Sequence, residues 1–420
     1  MFATVKQIFN PKNKDLRKKI LFTFFVLFIF KLGTSIIVPG IDKEALTGNL
    51  GFLEIMNAMS GGAMERFSIF ALGVSPYITA SIIIQLLSMD IIPYLSDLTH
   101  QGGVGRAKLN QITRIVGIGL AFIQGYMYSF TYVQGGTPMD YMQFSLILTA
   151  GTAFTLWLAD QITAKGVGNG TSLIIMAGII ATLPSMFVDA WNALVTGSTA
   201  QAITLGVVLF VLFVLVYFGI ILGIIFEENA ERRIPIQYAN KSAGSYGGKQ
   251  SYIPFKLNSA GVVPVIFASA LISIPQIIAQ FIKKEGFTLF VSKYLTMTTP
   301  VGFILYMIFI FVFAYFYTFI QLKPKELADN LNKNGGYIPG IRPGEDTVKY
   351  INKVLRRITF VGAAALAVIA GLPILFGLFS NMPTNVTIGG TGLLIVVGVA
   401  LETYKQIESQ LISRNYTRRR

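Results

Sequence analysis

The sequence predicts an all-α polytopic membrane protein: ten transmembrane helices in two inverted five-helix halves, with one short apolar helix and one β-hairpin outside the spans. Three observations carry this. Of 420 residues, 53% are apolar and only 13% charged, and mean hydropathy is +0.62, a membrane composition. Ten apolar windows of spanning length follow one another. The loops between them alternate sharply in basic charge.

The windows are Ile20–Val38, Ser68–Met89, Ile112–Val133, Met142–Thr163 and Thr171–Ala190, then Gln201–Phe226, Leu257–Ile282, Thr299–Leu322, Ile358–Phe379 and Thr384–Tyr404. A polar gap after the fifth divides the chain into residues 1–195 and 196–420. Of 34 Lys and Arg, twenty-eight fall in one set of loops and tails and five in the other, with Lys31 inside the first span. Both termini belong to the basic, cytoplasmic set. Because five is odd, the second half enters the membrane from the opposite side, which suggests an inverted repeat with a passage or site at the interface. The basic start followed by Ile20–Val38 is not read as a signal peptide, since the run is too long and has no small-residue cleavage pattern.

Two cytoplasmic loops exceed what a connection needs. Residues 227–256 hold two β-prone runs, Arg233–Tyr238 and Ser251–Phe255, around a Gly/Ser tip, which reads as a hairpin. Residues 323–357 begin like a helix that Gly335-Gly336 would stop. On the opposite side, Phe52–Met59 is apolar but too short to span. It is tethered by Ser60-Gly61-Gly62 to the second window, taken as a full-length span from Ser68 to Leu87. It is either a surface amphipathic helix or a segment that enters the membrane and returns.

Three stretches carry a family resemblance: Ser68–Gln85 (SIFALGVSPYITASIIIQ), Leu158–Ile175 (LADQITAKGVGNGTSLII) and Tyr337–Glu345 (YIPGIRPGE). In this order they resemble the SecY/Sec61-alpha family of protein-conducting channels, and the likeness covers nearly the whole chain. The resemblance implies the central subunit of a channel in the bacterial plasma membrane. Such a channel passes unfolded secretory polypeptides across the membrane and releases membrane proteins sideways. It implies a heterotrimer with SecE and SecG, driven by the SecA ATPase or the ribosome, and engaging signal sequences and nascent chains.

Taken alone, Val74, Ile78, Ile175, Ile266 and Ile395 are ordinary packing or lipid-facing residues. The resemblance places them in a pore ring, where branched apolar side chains expel water yet widen around a passing chain. It makes residues 52–63 a plug, with Phe52, Leu53, Ile55, Met56 and Met59 as its body and Gly61 and Gly62 as its hinge. Thr79 and Gln124 are polar residues within spans. They belong either to a lateral gate, as the resemblance implies, or to an interhelical hydrogen bond worth about 0.6 kcal/mol. Lys31, near the outer end of its span, reads as a snorkelling cation. Arg342, between prolines and glycines, displays one guanidinium, and with Arg232, Arg233, Lys241 and Lys249 it is the expected contact for SecA or the ribosome. The hairpin tip departs from the family: Gly244 is followed by Ser245 and Tyr246 rather than an arginine pair.

The net charge of +14 is a topology signal or answers an anionic partner such as lipid headgroups. Absence of cysteine removes disulfides and thiolate metal sites, and a lone histidine, His100, removes paired-histidine sites. Gly166–Gly170 lacks the lysine of a phosphate loop and reads as a tight turn before a helix capped by Asn169 or Thr171. No cofactor or enzymatic activity is expected. A secondary transporter would need polar groups at the bilayer midplane, and an intramembrane enzyme a Ser/His, paired-Asp or metal site within the spans. Lys31 and Asp160 are the only obvious intramembrane charges, and both sit near span ends.

Overall fold

Several helix starts in this chain are marked by a capping side chain or by a proline in the first turn. The computed structural model describes residues 13–41, 54–88, 91–133, 135–195, 200–238, 251–282, 284–379 and 384–417. The first half holds α1 (Lys14–Gly33), α2 (Glu54–Met59), α3 (Ser75–Leu87), α4 (Pro93–His100), α5 (Gly102–Tyr132), α6 (Pro138–Lys165) and α7 (Gly170–Leu194). The second holds α8 (Ala200–Asn229), β1 (Glu231–Tyr238), β2 (Ser251–Lys256), α9 (Val263–Ile282), α10 (Glu285–Tyr294), α11 (Pro300–Leu322), α12 (Pro324–Lys333), β3 (Gly336–Tyr337), α13 (Glu345–Phe379) and α14 (Thr384–Thr417). Thr137 and Asp140 form a capping box on α6, Asn169 accepts from the Thr171 and Ser172 amides to cap α7, and Thr299 caps α11.

All ten predicted spans contain a helix, and the chain is a multi-pass membrane protein. Five of the helices, α6, α7, α8, α11 and α13, are long and apolar enough to cross a bilayer on length and composition alone. Their outer faces are bare: Phe218, Leu222 and Phe226 on α8 are exposed, as lipid contact requires. The last helix is not peripheral. α14 packs against α7 and α2 of the first half as well as α8 and α13 of its own.

The second span needs correction. Ser68–Met89 is not one full-length helix; α3 starts at Ser75 and has 13 residues, about 20 Å at 1.5 Å per residue. Pro76 at the helix start has no amide hydrogen, and Phe67 and Gly73 hold positive φ (47° and 52°), so residues 67–74 cannot be helical. The irregular backbone is satisfied by protein. Ser68 N donates to Ala63 O, Ile69 N to Ile36 O and Val38 N to Phe67 O.

The described parts of the two long basic loops carry regular structure. The hairpin forms as expected, β1 pairing antiparallel with β2 from Glu231↔Lys256 to Ile236↔Ser251. β3 adds to its other edge through Gln237↔Tyr337 and Tyr238↔Gly336. Residues 345–357, expected as loop, are the start of α13, where Glu345 and Asp346 occupy the first turn and suit the helix dipole. Ile234, Ile236, Phe255, Leu331, Ile338, Ile351 and Leu355 form one buried cluster beneath these pieces.

Candidate functional site

The site is built around the chain that links α2 to α3. α2 ends where Gly61 and Gly62 take successive left-handed conformations (φ 76° and 77°), a pair that side-chain-bearing residues would not hold. Their amides return to Ala58 O (3.0 Å) and Asn57 O (2.9 Å). Asn57 then grips the returning chain: its Oδ1 accepts from Glu65 N (3.1 Å) and its Nδ2 donates to Glu65 Oε2 (3.5 Å). The phenol of Tyr128, on α5, donates to Met64 O. Lys31, read as a snorkelling cation, is exposed and also donates from Nζ to Gly61 O at 3.4 Å, because that carbonyl lies within its reach. Neither the Asn57–Glu65 grip nor the Lys31 contact was expected from the sequence, since both depend on where the turn aims its carbonyls.

On the α7 side the same turn meets bare backbone. A Cβ placed on Gly178 would fall 2.3 Å from Met59 O, so only glycine lets α2 lie against α7. Phe52 and Leu53 lie outside the described residues. Ile55 and Met56 are in α2, and Met59, at its end, is 7% exposed.

The five expected ring residues come together. Val74 precedes α3, Ile78 is in its first turn, and Ile175, Ile266 and Ile395 come from α7, α9 and α14. All five are buried in one apolar cluster that also contains Met59. These five side chains offer no hydrogen bond to an ion and carry no polar group to discriminate between peptide sequences.

The polar span residues also meet. A cavity of ≈ 30 Å³ is lined by Met59, Ile78, Ile266, Thr79 and Gln124, with Ser75, Ser269 and Ser273. It lies where α3 and α5 face α9, the seam between the halves. Thr79 donates to Ser75 O (3.2 Å), Ser269 to Ile266 O (2.8 Å) and Ser273 to Ser269 O (2.8 Å), each within its own helix. Gln124 Oε1 is buried with no partner. Among the described residues, neither Thr79 nor Gln124 makes the interhelical hydrogen bond weighed from the sequence. Asp160, noted as an intramembrane charge, pairs with Arg114 of α5 at 2.6 Å.

Beyond the β1–β3 sheet Arg342 is exposed, between Gly340 and Gly344 with φ of 80° and 105°. Its carbonyl accepts from Thr347 Oγ1 (2.9 Å), and its guanidinium makes no ion pair among the described residues. Arg233 is already engaged, paired with Glu231 at 2.6 Å and stacked over Tyr252. Arg232 lines a groove with Lys353 and Arg357. Lys241 and Lys249, with the atypical tip at Ser245 and Tyr246, lie outside the described residues.

Residues 68–404 match the family model SecY. The chain belongs to the SecY family. Among curated SecY proteins, the protein translocase subunit SecY of Staphylococcus epidermidis is 46% identical over 428 residues, covering 99% of both chains. That of Bacillus subtilis (strain 168) is 45% identical over the same length and coverage. Among solved structures, one described as a protein conducting channel matches with a TM-score of 0.69 at 19% identity, over 95% of this chain and 93% of that one. Sec61 in the canine ribosome–channel complex from the endoplasmic reticulum matches with a TM-score of 0.66 at 18% identity, with the same coverage. The SecY fold is thus shared across a wide span of sequence.

Proposed function

We propose that this chain is the channel-forming subunit of a bacterial protein translocase, passing unfolded polypeptides across the plasma membrane and releasing membrane segments sideways through the seam. One observation carries the reading. Residues expected in three separate roles, Met59 as plug, Ile78 and Ile266 as ring, Thr79 and Gln124 as gate, line one small cavity at the interface of the halves. Apolar closure there blocks ions without fixing any substrate sequence. The seam is held by packing rather than by the polar residues that face it. A hydrophobic signal segment binding better to the parted seam would therefore shift the balance toward opening.

The termini and the β1–β3 platform face the cytoplasm, in keeping with the basic loops. The exposed Arg342 guanidinium, and separately Arg232 on the hairpin, suit the carboxylates of a SecA motor or the phosphates of a ribosome. SecE and SecG complete the complex, and anionic lipids answer the remaining basic charge. The channel's driving force comes from those partners.

The direct test is disulfide trapping of a stalled secretory chain against cysteines placed at Ile78 and Ile266, in a chain with no native cysteine. Crosslinks at both positions are expected. A stalled chain that reaches neither would overturn the reading.

A further inference from the structure

The hinge that follows α2 is held from one side by the Gly178 backbone of α7 and from the other by the ammonium of Lys31. The Gly61 and Gly62 amides are spent within the turn, which leaves the Gly61 carbonyl free to accept. Lys31 takes it up in spite of the like charge of Arg66 on the same segment. The lysine is anchored on α1, a 20-residue helix packed against α6 and α7, so it stays in place whatever α2 does. A contact from a fixed cation to a carbonyl that travels with the plug exists in one state of the channel only. Such a contact biases the equilibrium by its own worth.

We propose that Lys31 is a plug-positioning residue, whose ammonium holds the Gly61 carbonyl and thereby favours the seated plug. The proposal rests on the reading of α2 as the plug and goes beyond it by naming the latch. When α2 leaves, the ammonium turns to water and headgroups at the outer interface, where a lysine of this reach is at ease. Opening therefore costs one charge-assisted hydrogen bond, and closing restores it.

The test is basal ion conductance of the assembled channel complex in planar bilayers. Lys31→Met is expected to raise it about three- to tenfold, the factor an ordinary hydrogen bond is worth in an equilibrium, since this contact is long. Lys31→Arg, which keeps a donor of similar reach, is expected to stay near the parent chain. Deleting Glu54–Met59 is expected to raise conductance, and adding Lys31→Met to that deletion to change nothing more. Parent-like conductance for Lys31→Met, or a further rise on top of the deletion, overturns the latch. A deletion without effect overturns the plug reading, and the latch with it. Should Lys31→Met fail to assemble, Lys31→Leu, which also lacks a donor, carries the same comparison.

Discussion

Tyr337 and Gln237, a hundred residues apart in the chain, are joined by a hydrogen bond of 3.0 Å from the phenol to the amide oxygen. That bond, with the β1–β3 pairing, makes one body of two loops that hydropathy presents as separate. Arg342 extends from this body on a turn held by the two glycines and the Thr347 hydroxyl. Arg342→Glu is expected to abolish most motor- or ribosome-driven transport while the melting temperature stays within error, as exposed substitutions usually shift stability by less than about 0.5 kcal/mol. Normal export by that variant would remove its assigned role.

The proposed apolar ring predicts leakage when it is made smaller and polar. Ile78, Ile175 and Ile395 are 7%, 3% and 5% exposed. Each replacement by Ser takes away branched carbon and adds a group that holds water. Single-channel conductance is expected to rise with each substitution and most in the triple variant. Truncating a buried Ile costs roughly 2–5 kcal/mol, so the recordings need a melting curve on the same preparation. An intact seal in folded triple variant would discredit the ring.

The close approach of α2 and α7 gives a sharper variant. In Gly178→Ala the new methyl would stand 2.3 Å from Met59 O, a backbone atom that cannot rotate away. Displacement of α2 follows, seen as raised basal conductance with little change in helical content. Gly219→Ala on α8, where a Cβ would meet nothing within 4 Å, is the matched control and should be silent. Equal behaviour of the two variants would argue against a seated α2.

At the seam, Gln124 carries a buried oxygen without a partner. Leaving such a group unsatisfied costs about 1–3 kcal/mol. Gln124→Leu should therefore raise the melting temperature and make the seam harder to part. Transport of clients with weakly hydrophobic signals should fall while strong-signal clients pass normally. Thermal scans and translocation of paired clients check both halves of this prediction.

Much of this arrangement was legible before any coordinates. Ten spans, the hairpin, the α12 stop at Gly335 and the Asn169 cap follow from hydropathy, β-propensity and capping chemistry acting locally. The start of α3 was missed because hydropathy cannot distinguish an apolar helix from apolar turns, although Pro76 was a visible signal. The early start of α13 was likewise announced by Glu345 and Asp346. β3 has two residues and exists only because β1 offers an edge, so no local pattern marks it. The ring residues are common side chains in common surroundings, and only the family resemblance singled them out. Lys31 was visible as a charge, but its acceptor is a main-chain oxygen, which no side-chain pattern reveals.

The brevity of α3 has an electrical consequence. α3, which carries Ile78 of the proposed ring, is only 13 residues tall, while α1 and α13 run to 20 and 35 residues. Water-filled vestibules above and below would short out the remaining depth, so the membrane voltage would drop across this thin septum. Charged residues of a passing polypeptide would feel the whole field within a few ångströms of Ile78, and acidic stretches would be pulled outward there.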